Sequence, residues 1–212
     1  MKANNHKYLI TIIFIFFAEQ MVAEDRIIIN FESPPSLNQE VKLIQNIKNY
    51  NSVQSIENYL TQQNWIENFL IKSSFFGTFH QIFIQSKKPK YVWKDKFYID
   101  SQVSTFAYDG GYPDLIRLDM PLEYLTFWIK AENQYITLFN DLSLTIRSVG
   151  FQPAVGWHLI TSDALRVNLG DDLSNDTYQK LSFTLKYMFE NNLTPSIIDL
   201  RYKAGAALNY GK

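Results

Sequence analysis

The sequence of 212 residues contains no cysteine, which excludes disulfide bonds, thiolate metal sites and a cysteine nucleophile. It has eight glycines, and none stands in a glycine-rich motif that could hold the phosphates of a nucleotide. The three histidines, His6, His80 and His158, have no carboxylate at the spacing of a metal site. No serine lies in a G-x-S-x-G elbow. These absences predict a protein that is not an enzyme and that has no cofactor, no metal and no small-molecule substrate.

An excess of charge of one sign is also lacking, because 20 Lys and Arg stand against 21 Asp and Glu. Nucleic-acid-binding proteins concentrate positive charge, so this balance argues against a nucleic-acid partner. Apolar side chains, in contrast, make up 46% of the chain and aromatic ones 16%. This composition predicts a folded chain, and the length suffices for one large domain or two small ones.

The longest apolar run lies near the N-terminus, from Tyr8 to Phe17. Basic Lys2 and Lys7 precede it and acidic Glu19 and Glu24 follow it, which orients the segment with its start in the cytoplasm and the rest of the chain exported. Ten helical residues span only about 15 Å of a ~30 Å hydrocarbon core, so a cleaved signal peptide and a membrane anchor both remain possible. Because no A-x-A cleavage site follows, we expect residues 8–23 to be retained as an anchor.

The first block after this segment shows the order strand, helix, helix, strand, strand. The predicted elements are Arg26–Phe31, a helix from Leu37, a helix from Val53, and the strands Trp65–Lys72 and Phe79–Gln85. Ser36 and Ser52 are placed to cap the two helices. Apolar residues recur at helical spacing in the first helix, which predicts one buried face. They are Leu37, Val41, Ile44 and Ile47. Two helices on one face of a small sheet form a compact α+β domain.

The second block begins near the polar run 94–96 and ends with a helix and a hairpin. Its predicted elements are a helix opened by Pro121, a hairpin of 157–160 and 165–169, an amphipathic helix around 178–189, and two last strands. Ile198, Leu200 and Tyr202 alternate with polar residues, which predicts the first of these strands. Gly205 permits a turn, and Ala206–Tyr210 can return as the second.

Several short motifs together resemble those of one bacterial family. Asp199–Ala207 reads DLRYKAGAA and follows a strand that ends in Leu169-Gly170, which resembles a D-L-R-Y-x-x-G-x-A hairpin after a strand ending in L-G. Upstream, LTQQNWI at 60–66, KPKYVW at 88–93 and the segment 99–106 resemble further motifs of the same family in the same order. The chain thus resembles the FtsQ (DivIB) family of cell-division proteins from about Arg26 to Tyr210.

The resemblance implies a fold of the α+β class with four segments. These are a cytoplasmic tail at 1–7, a single membrane-spanning or anchor segment at 8–23, a POTRA domain (β-α-α-β-β) at 24–94, and a mixed β domain with a C-terminal helix and hairpin at 95–212. The boundary is expected near Lys94–Phe97, so that Trp65 and Trp93 belong to the first domain and Trp157 to the second.

The resemblance also implies a function. Members of this family are non-enzymatic divisome scaffolds in the inner membrane at the division septum. Most of their chain is periplasmic, where they bind FtsB, FtsL and other division proteins and connect early components to septal peptidoglycan synthesis. Their FtsB site is an edge strand of the C-terminal hairpin, to which the partner adds a strand. The matching residues here are Tyr202, Ala204, Gly205, Ala206, Leu208 and Tyr210.

Two questions stay open at this point. The chain could instead be a POTRA-containing module of another envelope export or assembly system, although neither tandem POTRA blocks nor a following series of barrel strands is present in the sequence. Tyr202 could also pack in the core of the second domain rather than contact a partner.

Overall fold

The computed structural model describes residues 26–74, 79–203 and 205–211. The expected anchor at 8–23 lies outside these residues. No helix within the described ranges is long and apolar enough to cross a bilayer. The chain divides into two compact units between Lys87 and Lys88. The expected α+β class is confirmed, because both units combine helices with a sheet.

The first unit has the predicted element order. Its elements are β1 (Arg26–Ser33), α1 (Leu37–Ile47), α2 (Val53–Thr61), β2 (Ile66–Ser73) and β3 (Phe79–Ser86). In the sheet, β3 lies between β1 and β2; it is parallel to β1 and antiparallel to β2. Trp65, immediately before β2, is buried.

Helix α1 begins where the sequence predicts but turns a different face to the core. Ser36 caps it with a full capping box, accepting a hydrogen bond from the Gln39 amide while the Gln39 side chain accepts one from the Ser36 amide. Gln39, Leu43 and Ile47 are buried, whereas Leu37 is 71% exposed. Of the predicted face, Ile47 is buried and Ile44 half-buried, so the prediction was wrong only for Leu37 and Val41, which are exposed. The side chains that face inward are instead those at positions 39, 43 and 47.

The boundary between the units also differs from the expected one. β4 (Pro89–Trp93) pairs with β5 (Phe97–Asp100) in the sheet of the second unit, so Trp93 belongs to that unit. Its indole Nε1 donates to the Met120 carbonyl at 2.8 Å. The polar run at 94–96 is the hairpin turn between these strands rather than a linker. Lys94 and Asp95 both have positive φ, 51° and 53°, as a tight hairpin turn requires.

The second unit is built on one large sheet. Its other strands are β6 (Thr105–Ala107), β7 (Ile116–Asp119), β8 (Ile146–Gln152), β9 (Gly156–Thr161), β10 (Arg166–Gly170), β11 (Ile197–Asp199) and β12 (Ala207–Asn209). A 3-10 turn (Leu122–Tyr124) leads into α3 (Leu125–Asp141), and α4 (Asn175–Glu190) follows β10. Within the described residues the strand order is β12-β11-β10-β9-β8-β7-β4-β5-β6. The predicted hairpin β9–β10 and both predicted helices are confirmed.

Helices α3 and α4 contribute to the same core as the sheet. Trp128, Tyr135 and Phe139 of α3 and Leu181 and Leu185 of α4 are fully buried. Trp157 and its strand neighbours join this core, as the sequence predicts for Trp157. A polar contact also ties α3 to β4. The buried Glu132 carboxylate accepts hydrogen bonds from the Lys90 ammonium and the Tyr91 hydroxyl, so that this buried charge is paired.

Candidate partner-binding edge

The C-terminal hairpin forms one edge of the nine-stranded sheet. β11 runs parallel to β10, with Val167 opposite Ile198, and β12 runs antiparallel to β11, with Ile198 opposite Leu208. β12 is the last strand in the order, so its outer side has no paired strand among the described residues. An edge of this kind presents unpaired backbone amides and carbonyls, which can pair with a strand of another chain.

The far end of β12 is held by hydrogen bonds from the residue before β11. The Ser196 amide donates to the Asn209 carbonyl at 2.8 Å, and the Ser196 hydroxyl donates to the Gly211 carbonyl at 2.6 Å. The Asn209 side chain accepts from the Gly211 amide at 2.7 Å. These contacts hold the end of β12 to the segment before β11.

The loop between β11 and β12 is fixed from two sides. Lys180 of α4 donates to the Leu200 carbonyl at 2.7 Å and also to the Tyr202 carbonyl. The Arg201 guanidinium donates to both Asp199 oxygens, at 2.9 Å and 2.6 Å for the closest pairs. These hydrogen bonds from Arg201 lower the pKa of the Asp199 carboxyl. The hydrogen bonds that hold the loop in place therefore do not involve the Tyr202 ring.

The structure brings five of the six predicted partner-binding residues to this hairpin. Tyr202 is 60% exposed and Tyr210 is 56% exposed, at the two ends of the β12 edge. Ala206 and Leu208 are half-buried against the core, and Gly205 is exposed in the turn with φ of 140°. The sixth, Ala204, lies outside the described residues. Tyr202 does not pack in the core, so that alternative is excluded.

An apolar cleft of about 760 Å³ adjoins the Tyr210 end of the edge. Its walls come from the ends of α3 and α4, from the β9–β10 turn and from the segment before β11. They include Leu144, Leu165, Met188, Phe189 and Pro195. The cleft gives this end of the hairpin an apolar surface in addition to its backbone edge.

No group of three or more His, Asp or Glu side chains among the described residues could hold a metal. His80 and His158 are both buried in strands. Burial and the nearby Arg166 charge lower the pKa of His158, which favours the neutral ring at physiological pH. A Cβ on Gly150 would lie 2.3 Å from this ring, so the histidine fills the space above a glycine in the sheet.

Sequence reasoning missed two features of this edge. The Lys180 contacts join residues 20 or more positions apart, and a lysine on an amphipathic helix gives no sign of its partner. Ser196 was not singled out either. Its position two residues before Ile198 is a weak signal for a strand-end hydrogen bond.

Comparisons with known proteins agree with the motifs. The chain is 20% identical over 166 residues to a cell division protein FtsQ of Aliivibrio fischeri, covering 74% of this chain and 62% of that protein. It is 22% identical over 183 residues to a cell division protein FtsQ of Vibrio cholerae, covering 82% and 63% respectively. The chain therefore spans less than two thirds of the length of each relative. No protein-family model matches it. The resemblance to FtsQ proteins is confirmed by these two relatives.

Proposed function

We propose that this protein is a non-enzymatic scaffold of the cell-division machinery, and that it binds FtsB- and FtsL-like partners through the edge of β12. The similarity to two proteins named cell division protein FtsQ supports the division role. The observation that carries the binding mode is the open β12 edge, with an exposed tyrosine at each end.

Strand addition suits this edge for a physical reason. Backbone pairing along an edge supplies affinity, and pockets for alternate side chains supply selectivity. β12 offers unpaired backbone on its outer side, and the cleft beside Tyr210 offers an apolar surface next to it. A partner strand that pairs with Ala207–Asn209 would pass Tyr202 at one end and Tyr210 at the other.

The two tyrosines are suited to anchor such a contact. An aromatic ring buries a large area while losing few rotatable bonds, and tyrosine is enriched among residues that dominate binding energy. Each ring is more than half exposed, which leaves a large area for a partner to cover. The backbone around Tyr202 is already fixed by Lys180, so binding a partner costs little further conformational entropy there.

We further assign the first unit as a POTRA domain. Its order of elements, β-α-α-β-β, and its three-stranded sheet with the last strand in the middle support this assignment. The unit ends at Lys87 rather than at Lys94, so the proposed domain is shorter than the sequence indicates.

The place of action follows from the same proposal. The charge asymmetry around Tyr8–Phe17 supports an anchor in the inner membrane, with both folded units in the periplasm. At the division septum such a chain would connect early division proteins with the machinery of septal peptidoglycan synthesis. Its contribution is binding rather than catalysis.

Two experiments test the parts of this proposal separately. A fluorescent fusion of the full chain should concentrate at the division site in dividing cells, and an even distribution around the envelope would contradict the division role. The FtsB-like protein of the same organism, co-expressed with the full chain, should co-purify with it. Septal localisation without this co-purification would leave the division role intact and reject the β12 edge as the FtsB site.

A further inference from the structure

A second concave surface lies in the same unit and is made by other elements than the β12 edge. It is a cavity of about 420 Å³ between the first half of α3 and the segment that joins β10 to α4. Its lining combines aromatic rings with charged side chains; Phe127 and Lys130 come from α3, and Asp171 and Asp172 from the segment after β10. The lining includes Tyr124, Phe127, Lys130, Trp157, Asp171 and Asp172.

The three aromatic lining residues, Tyr124, Phe127 and Trp157, belong to a cluster of four rings that Phe151 completes from outside the cavity. Tyr124 stacks on Phe151 with ring centroids 3.9 Å apart, and Phe151 contacts Trp157 at 5.1 Å. Phe127 lies 6.2 Å from Tyr124. Phe127 is 57% exposed, so most of its ring is open to a ligand. The faces of such rings carry negative electrostatic potential and attract cations.

Close backbone packing at Gly156 and Gly170 brings two carboxylates next to the Trp157 ring. Gly170 pairs with Trp157 in the β9–β10 ladder, and its φ of 96° turns the chain out of the sheet immediately before Asp171. A Cβ on Gly156 would lie 2.2 Å from the Gly170 carbonyl oxygen, so this close approach requires glycine at position 156. The turn therefore places Asp171 and Asp172 beside Trp157 by tight backbone packing.

The two carboxylates differ in what they already bind. Asp172 accepts hydrogen bonds from the Ser174 amide at 2.9 Å and the Thr177 hydroxyl at 2.8 Å, at the start of α4. The Asp171 carboxylate forms no hydrogen bond or ion pair with any other described residue. Lys130 lines the same cavity and is likewise without an ion pair among the described residues. The charged residues that line the cavity, Lys130, Asp171 and Asp172, thus carry one more negative than positive charge.

We propose that this cavity binds an arginine or lysine side chain of a protein partner. The alkyl part of that side chain would lie against Phe127 and Tyr124, and its cationic end would face the rings and the Asp171 carboxylate. Charge complementarity selects this occupant, because rings and carboxylates both favour a cation and both disfavour an anion. This site is separate from the proposed FtsB edge and does not depend on strand addition.

Peptide probes test the proposal directly on the full chain. The blocked tripeptide leucyl-arginyl-leucine amide is titrated while amide chemical shifts are followed by NMR. The neutral isostere with citrulline and the acidic peptide with glutamate in the central position are the matched probes. The arginine peptide should shift Ala131, Asp171 and Leu173, and the citrulline peptide should bind several-fold more weakly.

Variants then assign the effect to individual groups. Asp171→Asn and Phe127→Leu should each weaken binding of the arginine peptide by roughly two- to fivefold, as exposed ion pairs and cation–π contacts do. Lys130→Gln should strengthen it, since it removes a competing positive charge. Asp114→Asn and Phe183→Leu, exposed residues elsewhere in the unit, serve as controls and should change nothing.

The opposite results would overturn the proposal. Equal binding of the citrulline or glutamate peptide would show that charge does not select the ligand. Tighter binding of the glutamate peptide than of the arginine peptide, lost in the Lys130→Gln variant, would indicate an anionic ligand instead. No shifts at about 10 mM peptide, or shifts confined to other residues, would show that the cavity does not bind a basic side chain.

Discussion

The two edges of the large sheet are alike in length but differ in where the nearby aromatic side chains pack. β6 (Thr105–Ala107) ends the sheet on one side and β12 (Ala207–Asn209) on the other, and each is three residues long. Near β6, aromatic side chains pack against one another. The β12 edge has its aromatic side chains turned outward.

The aromatic side chains near β6 are arranged around Tyr98. Its ring contacts Phe106, Tyr108 and Tyr112 at centroid distances of 5.1–5.4 Å, and its hydroxyl donates to Asp109 at 2.8 Å. Tyr98 and Phe106 are fully buried. At the open edge, Tyr202 and Tyr210 pack against no ring among the described residues. The aromatic side chains near β6 are therefore used in packing, whereas Tyr202 and Tyr210 remain exposed.

The largest expected effect is on stability, for which buried and exposed aromatic side chains should differ. Phe106→Ala should lower the free energy of unfolding by about 3–5 kcal/mol, because it leaves a cavity under Tyr98. Tyr202→Ala should change it by no more than about 0.5 kcal/mol, because the ring is exposed. Chemical denaturation of the full chain measures both. A Tyr202→Ala variant as unstable as Phe106→Ala would mean that the open edge is covered after all.

Partner binding, in contrast, should depend on the exposed tyrosines near β12 and not on the β6 edge. Tyr202→Ala and Tyr210→Ala should each weaken binding of the FtsB-like protein by about thirtyfold, or roughly 2 kcal/mol, as loss of an aromatic anchor does. Thr105→Ala, exposed on the β6 edge, is the matched control and should bind as the unchanged protein does. Calorimetry with the purified partner gives the affinities. Unaltered binding by both tyrosine variants would reject them as anchors.

A proline at each edge tests backbone pairing itself. Leu208→Pro removes an amide donor from β12 and should weaken partner binding by about tenfold, the value of one hydrogen bond of roughly 1.4 kcal/mol. Thr105→Pro makes the same change at β6 and should leave binding unaltered. Circular dichroism must show both variants folded. Equal loss of binding at both edges would point to general unfolding rather than strand addition.

High pH should lower the stability of the region near β6, and low pH should lower the stability of the hairpin that contains β12. Burial and Asp109 raise the pKa of the Tyr98 hydroxyl, so its stabilising contribution is present below the unfolded pKa of about 10 and is lost as pH rises further. Hydrogen bonds from Arg201 lower the pKa of Asp199, so its contribution is present above about 3.9 and is lost as pH falls.

Thermal unfolding across pH checks both signs. Tyr98→Phe should remove part of the alkaline loss of stability, and Asp199→Asn part of the acid loss. The Asp199 effect is expected to be the smaller, because Arg201 is exposed to solvent. An alkaline loss that is unchanged in Tyr98→Phe would show that another group controls it.

Local signals in the sequence were sufficient for most elements. The Ser36 cap, the β9–β10 hairpin and the amphipathic α4 were predictable because each depends on residues close in the chain. The buried face of α1 was not, since the sheet rather than the spacing decides how a helix is rotated. The boundary was misplaced because Lys94-Asp95-Lys96 has a composition typical of both a linker and a hairpin turn.

The candidate site shows the same limit. Alternation placed Tyr202 on the same side as Ile198 and Leu200, both of which are buried. The strand ends earlier, at Asp199, because the Arg201 amide donates to the Asp199 side chain at 3.1 Å and bends the chain away from the ladder. The Tyr202 ring therefore faces solvent. This side chain–backbone contact could not be read from the alternation.

The strand-addition mechanism is tested most directly by hydrogen–deuterium exchange of the full chain with and without the FtsB-like partner. An added strand must hydrogen-bond the outer backbone of β12, so amides in 205–211 should exchange more slowly in the complex while those in 103–109 stay unchanged. Protection confined to β6 or to the first unit, with β12 exchanging as in the free protein, would contradict it.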